Sequence, residues 1–196
     1  VLTGALVQVF TVFQFRRLMG FDRMTSDIEK LDGHIIICGF GRIGMQLAKA
    51  LHDAKRGFVI VERSTEKSNE AKALGYLCLT GEATDEETLK AAGIDKASVI
   101  ATVLPDDAAN VFITLSARSL NPGLEIIARG EAPTTENKLF HAGADKVVLP
   151  THIGAERIVE LILYPSTTNV INDIGEMAEC KRALHDFGLD LEVVTA

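Results

Sequence analysis

Six short apolar runs recur along this chain, each followed by a segment whose apolar residues return every three or four positions. The runs are HIIIC (34–38), FVIVE (58–62), YLCLTG (76–81), ASVIATV (97–103), EIIAR (125–129) and KVVLP (146–150). They are rich in β-branched residues and too short for buried helices, so they predict strands. The intervening periodicity predicts helices over 43–55, 64–74, 84–92, 106–119, 135–142 and 153–163. The first of these places Ile43, Leu47, Ala50, Leu51 and Ala54 at helical spacing. Strands this apolar must be covered on both faces, and alternation with helices through short links requires a parallel sheet. The expected fold is a Rossmann-like, doubly wound α/β domain of about six strands over 33–150, followed by helices over 151–188. No internal repeat or low-complexity tract interrupts it.

Between the first run and its helix stands GFGRIG, in which Gly39, Gly41 and Gly44 form G-x-G-x-x-G directly after a strand and at a helix start. An acid, Glu62, ends the next strand about twenty residues on. In that context Gly39 permits a sharp turn, Gly41 lets a diphosphate approach the backbone, and Gly44 lets the helix pack against the sheet. The free N–H groups of the helix would face the anion, and Glu62 would accept hydrogen bonds from two ribose hydroxyls. The alternative is a sheet of the same kind whose glycines serve packing alone. A carboxylate at this position repels a 2′-phosphate, which favours NAD(H) or another adenine nucleotide over NADP. Arg63 leaves that preference open, since it could pair with such a phosphate or lie against the adenine. Arg42, inside the loop, could touch phosphate directly or be a solvated surface charge.

Charge and cysteine usage narrow the classes. The formal net charge of −7 provides no basic footprint for nucleic acid. Cys38, Cys78 and Cys180 show no paired spacing, which argues against a disulfide framework or a zinc site and fits a reducing compartment. Ser64 is an expected N-cap. Asp85, Glu86 and Glu87 are expected as dipole complements in a helix first turn.

The ends read as cuts. The chain opens VLTGALVQVFTVFQFRRLMG without an initiator Met, and Arg16 and Arg17 follow a nearly charge-free stretch, the wrong order for a signal peptide. Residues 1–32 are read either as an amphipathic or buried helix or as the cytoplasmic end of a membrane helix, with a linker. The GLDLEVVTA terminus breaks off in a strand-like run, expected as the start of a further lobe from residue 189.

Catalysis is not expected. His34, His52 and His141 fall in elements where structural roles suffice, while His152 and His185 have no recognisable partner carboxylate or nucleophile motif. No G-x-S-x-G, H-E-x-x-H or paired Cys/His arrangement exists, and residues 151–196 are too few for a catalytic domain.

Taken together, GFGRIG (39–44), VIVE (59–62), YLCLTGEATDEETLKAAGI (76–94), IIARGE (126–131) and HAGADKVVLP (141–150) resemble the RCK, or TrkA-N, family of potassium-transport nucleotide-binding domains. The resemblance covers about residues 33–163. It implies a regulatory domain of a potassium channel that pairs through the helix after the sixth strand. Such pairs assemble into tetrameric or octameric cytoplasmic gating rings beneath a membrane pore. By motif position it places Gly39, Phe40, Gly41, Arg42, Ile43 and Gly44 at the phosphates, and Glu62 and Arg63 at ribose and adenine. Thr80, Gly81, Glu82 and Ala83 would border the adenine, as would Val103 and Leu104. Arg129 could reach the phosphates or a neighbouring subunit. NAD(H) is the expected ligand, with ADP, ATP or AMP as alternatives.

In channel members a pore-lining helix leads into this domain, so the apolar opening favours a channel whose pore belongs to the same polypeptide. A soluble regulatory subunit of a potassium transporter is the second reading, and an NAD(P)-dependent oxidoreductase fragment the third. Calcium-gated relatives use three acids where this chain has Val103, Arg129 and Glu131, so that site is not expected here. A different divalent site using Glu131 stays open and is not assigned.

Overall fold

The computed structural model describes residues 26–164. The predicted lead-in helix, Cys180, His185 and the predicted start of a further lobe lie outside the described residues. The described part falls into two units that divide between Pro150 and Thr151.

The first unit alternates strand and helix throughout. In chain order it comprises β1 (Ile35–Cys38), α1 (Arg42–Asp53), β2 (Phe58–Glu62), α2 (Thr65–Ala73), β3 (Leu77–Thr80) and α3 (Glu86–Ala91). It continues through β4 (Val99–Thr102), α4 (Asp107–Leu120), β5 (Glu125–Arg129), α5 (Pro133–His141) and β6 (Lys146–Val148). All neighbouring strands pair in parallel, in the order β3-β2-β1-β4-β5-β6. This is the doubly wound arrangement expected from the alternation.

The pleat sorts each strand's residues between two helix layers. Ile35, Ile37, Phe58 and Ile60 point to a layer with Phe40, Ala48 of α1 and Ala71 of α2. Their neighbours Ile36, Cys38, Val59 and Val61 point the other way, to a larger layer with Leu89, Ile113, Ala117 and Leu139 from α3, α4 and α5. Chain order therefore reverses between β1 and β4, the switch point at which doubly wound sheets carry a ligand crevice beyond the carboxyl ends of the strands.

Some boundaries depart from the periodicity. α5 begins at Pro133 rather than 135, because proline in the first turn has no N–H to leave unpaired and its φ is already helical. Asp85 caps α3 rather than joining its first turn, its carboxylate accepting from the Glu87 N–H. β6 ends at Val148, and it is not buried on both faces as expected; Lys146 and Val148 are exposed. It is an edge strand, as is β3, whose last residue Thr80 is exposed.

The helix α6 (Pro150–Leu163) follows β6. It carries the ion pair Arg157–Glu160 at 3.1 Å and, contrary to expectation, a partner for His152 in Glu156 at 3.3 Å. The second pair lies one helical turn apart with both side chains more than half exposed, a surface arrangement with no nucleophile attached.

Candidate functional site

At the end of β1 the chain must turn before α1 can begin. Gly39 makes that turn with φ +102, which L side chains rarely adopt, and its N–H donates to the Val61 carbonyl at 2.8 Å. A Cβ there would also stand 2.8 Å from Leu104 Cδ2. Gly44 serves a different need. A Cβ on it would lie 2.0 Å from the Gly39 carbonyl oxygen, so the first turn of α1 lies on the glycine turn as closely as backbone allows.

Gly41 has neither constraint. Its φ of −88 is ordinary, and a Cβ built on it meets nothing within 4 Å. It is the N-cap of α1, and no side chain caps that helix; its first turn contains no acid. The contrast with the neighbours is sharp. Ser64, Asp85 and Asp106 cap α2, α3 and α4 with side-chain oxygens, and each of those helices has an acid in its first turn. The positive end of α1 is thus left facing open space, with exposed Arg42 beside it.

Glu62 ends β2 and is only 7% exposed. Its carboxylate accepts from the Phe40 N–H at 2.7 Å through Oε2 and from the Ser64 N–H at 2.8 Å through Oε1. Charge-assisted bonds of this kind fix both oxygens against the glycine turn, and each oxygen retains a lone pair for a hydroxyl donor. Phe40 takes part through its backbone alone: its ring is buried and meets the Tyr76 ring edge-on at 6.4 Å. Ile43 is half-buried within α1.

The other predicted residues surround this centre at increasing distance. Register pairs Glu62 with Thr80, and the Gly81 N–H donates to the Glu62 carbonyl. The Thr80 hydroxyl is already engaged by Ser68 at 2.7 Å and Lys72 at 3.1 Å. Exposed Glu82 stands 4.0 Å from Arg63, a loose surface pair, and Ala83 is buried. The Val103 N–H donates to the Cys38 carbonyl, carrying the β1–β4 pairing one residue further and bringing Leu104 over Gly39.

Arg129 lies beyond Leu104. Its guanidinium pairs with Glu131 and touches the Leu104 carbonyl at 3.4 Å, while its buried Nε has no partner among the described residues. The structure thus gathers Gly39–Gly44, Glu62, Val103 and Leu104 about one crevice, with Thr80–Ala83 at one margin and Arg129 behind the other. Among the described residues no group of three or more His, Cys, Asp or Glu is placed to hold a metal ion.

Two residues went unrecognised in the sequence. Asn110 of α4 is wholly buried and bonds the backbone of Leu104, after β4, and of Arg129, the last residue of β5. Asp107, one turn earlier, accepts from the Glu131 and Ala132 N–H groups and from the Thr135 hydroxyl. Burial alone would push the Asp107 carboxyl upward, but those donors and the Arg129 charge outweigh it and hold it below the usual aspartate value. The signal in the sequence was weak: Asn110 stands at helical spacing from Ile113 and Ala117, but the buried face of α4 also carries Thr114 and Ser116. Beneath the glycine turn, burial pushes the Cys38 thiol up to about 12, so it stays protonated and packs as a small hydrophobe.

Comparison with known proteins agrees with this geometry. Potassium channel protein 1 of Methanocaldococcus jannaschii is 37% identical over 173 residues, which span 87% of this chain and 52% of that protein. This chain therefore spans about half the length of that relative. The crystal structure of GsuK bound to ADP superposes with a TM-score of 0.59 at 35% identity, covering 66% of this chain and 34% of that one. The GsuK channel bound to NAD superposes with a TM-score of 0.57 at 29% identity, covering 62% and 22%. A family model for the TrkA-N domain matches residues 35–150, and the chain belongs to that family.

Proposed function

We propose that this chain is the nucleotide-sensing regulatory domain of a potassium channel, and that ligand binding at the β1–α1 crevice is coupled to pore opening. The observation that carries the reading is the uncapped N-terminus of α1 behind an unobstructed Gly41, with the Glu62 carboxylate held beside it. The fit is to an adenine nucleotide: N–H groups of the first turn of α1 take a diphosphate, and Glu62 takes ribose hydroxyls. NAD(H) and ADP are the leading ligands, in line with the molecules bound by the two GsuK structures. We read the site as one that senses its ligand: the Glu62 carboxylate is fixed by one backbone N–H at each oxygen, which leaves it placed to accept ribose hydroxyls.

A nucleotide can bias a gate only by binding the open and closed assemblies with different affinity. The remaining parts of the reading follow the family. Residues 151–188 pair copies of the chain, the pairs build a gating ring, residues 1–32 lead from a pore of the same polypeptide, and residue 189 opens a further lobe. The domain then lies on the cytoplasmic side of the membrane.

Thermal unfolding with NADH, NAD, ADP, ATP and AMP tests the site. At least one is expected to raise the melting temperature, and Glu62→Ala to diminish the rise. No rise with any adenine nucleotide would remove the basis for the proposal. The chain sequence ahead of Val1 tests the assembly: a pore helix with a TVGYG-like filter supports the channel, and an immediate initiator Met supports a separate transporter subunit.

A further inference from the structure

The crevice is bounded on the β4 side by Leu104, and one side chain, that of Asn110, bonds both its N–H and its carbonyl, the carbonyl also accepting from Arg129 at 3.4 Å. Asn110 accepts the Leu104 N–H through Oδ1 at 3.2 Å and donates through Nδ2 to the Leu104 carbonyl at 2.9 Å. The same Nδ2 donates to the Arg129 carbonyl at 2.8 Å. The reverse amide orientation would set its oxygen against two carbonyls, so the network admits one assignment. Asn110 is wholly buried, and replacing it takes the acceptor from the Leu104 N–H and a donor from each of the Leu104 and Arg129 carbonyls.

Leu104 in turn limits the glycine turn. Its Cδ2 occupies the space beside Gly39, close enough that any Cβ there would clash at 2.8 Å. Asp106, which caps α4, and Asp107, which holds the turn after β5, make the first turn of α4 a fixed base for Asn110. The chain of contact therefore runs from α4 through Asn110 and Leu104 to Gly39.

We propose that Asn110 is a positioning residue for the phosphate turn, acting through Leu104, and that it joins the last residue of β5 to the same device. The proposal rests on the nucleotide reading for its functional meaning. Its geometric content is separable: Asn110 sets the conformation of Gly39, from which it is distant in sequence, without touching it.

The test follows backbone amides of the ligand-free 196-residue chain by 15N NMR hydrogen exchange. In Asn110→Ser, exchange at Leu104 and Gly39 is expected to rise at least about tenfold and the Gly39 cross-peak to move. The Cys78 and Leu79 amides at the far strand should stay within about twofold of wild type. In Leu104→Ala, Gly39 should again be released, while the amide at position 104 stays protected by Asn110. An unchanged Gly39 in Asn110→Ser, or an equal rise at every amide, overturns the proposal, because either marks a residue that merely supports the fold. If Asn110→Ser does not fold, Leu104→Ala decides alone, and an unchanged Gly39 there overturns it.

An ADP titration separates this inference from the one beneath it. Wild-type binding weakened about tenfold in Asn110→Ser supports positioning. Equal affinity in both overturns it while the nucleotide site stands. If wild type binds neither ADP nor NAD, the nucleotide reading fails, and the exchange experiment still decides whether Asn110 sets Gly39.

Discussion

Gly41→Ser separates binding from folding more cleanly than any change at Glu62. Removing the Glu62 carboxylate would strip the Phe40 and Ser64 N–H groups of their acceptor, mixing loss of ligand contact with loss of structure. Gly41 sits at φ −88 with nothing within 4 Å of a built Cβ, so serine costs the ligand-free chain no steric strain. Two terms favour the variant. Replacing glycine where the backbone conformation is ordinary restricts the unfolded chain and contributes about 0.4–1 kcal/mol. A serine N-cap improves on glycine by a few tenths, roughly 0.3 kcal/mol. Together they predict a ligand-free melting temperature about 2–4 °C above wild type for a chain of this size. Binding should move the opposite way. The new side chain fills the space a diphosphate needs, and its hydroxyl takes an N–H that the anion would otherwise use. A tenfold weaker affinity, about 1.4 kcal/mol, is a lower bound for that loss. At ligand concentrations of about 100 times the wild-type Kd, wild type gains roughly 2.7 kcal/mol and the variant about half of it. Scanning fluorimetry with ADP and NAD, checked by calorimetric titration, reads both quantities. A fall in the ligand-free melting temperature of several degrees would show that the N-cap is under strain the geometry does not reveal. Unchanged affinity would show that the ligand does not approach Gly41, and the assignment of the phosphates to this turn would be wrong.

The neighbouring glycine gives the opposite outcome: Gly44→Ala puts a Cβ 2.0 Å from the Gly39 carbonyl oxygen, and urea unfolding should register a loss of about 3 kcal/mol or more. Acid should weaken the fold through Asp145 as well as Asp107. The Ile126 N–H and Arg118 hold the Asp145 carboxyl below its ordinary value despite partial burial. For both aspartates the folded-state value is depressed. Their contribution is therefore present above the unfolded value, about 3.9, and is lost as pH falls from there through the lower folded value. Urea titrations between pH 7 and pH 3 should show this, and Asp107→Asn should flatten the acid limb; an unaltered limb would deny Asp107 its native bonds. Alkylation mapped by mass spectrometry should leave Cys38 and Cys78 unmodified in the native chain and modify both in urea, since burial raises both thiols. Native-state labelling of Cys38 would contradict its place under the glycine turn.

The strand–helix alternation was legible because a parallel sheet buried on both faces leaves contiguous apolar runs, and all six strands fall within or on the predicted ranges. Legibility failed where that burial fails. KVVLP reads like the other five runs, yet β6 stops at Val148, because an edge strand keeps Lys146 in solvent and pairs it with Glu125 at 2.7 Å. Capping was half legible. Ser64 announces itself as an N-cap, whereas Asp85, Glu86 and Glu87 offer three equivalent acids, and only the helix start singles out Asp85.

The site divides along the same line between local and distant information. Gly39, Gly41 and Gly44 lie within six residues, and the φ of Gly39, the open space before Gly41 and the Gly44 contact with Gly39 are all local to that turn, whereas the approach of Leu104 to Gly39 is not. Glu62 was legible as an acid at the next strand end, but its bond to the Phe40 N–H depends on the β1–β2 register, which no local pattern encodes. Asn110 was invisible for the same reason at longer range. Its partners lie just after β4 and at the last residue of β5, and they meet because β4 pairs with β5. Arg129 joins the two kinds of information: motif position sends it toward the phosphates or a neighbouring subunit, while the residue two places along, Glu131, holds its guanidinium in this structure. A ligand that drew Arg129 forward would have to break that pair and the contact with the Leu104 carbonyl together. Phosphate affinity and the β5–α5 turn would then be linked through one side chain. Glu131→Gln should accordingly leave the glycine turn unchanged and strengthen ADP binding if Arg129 reaches the ligand, and leave affinity unchanged if it does not.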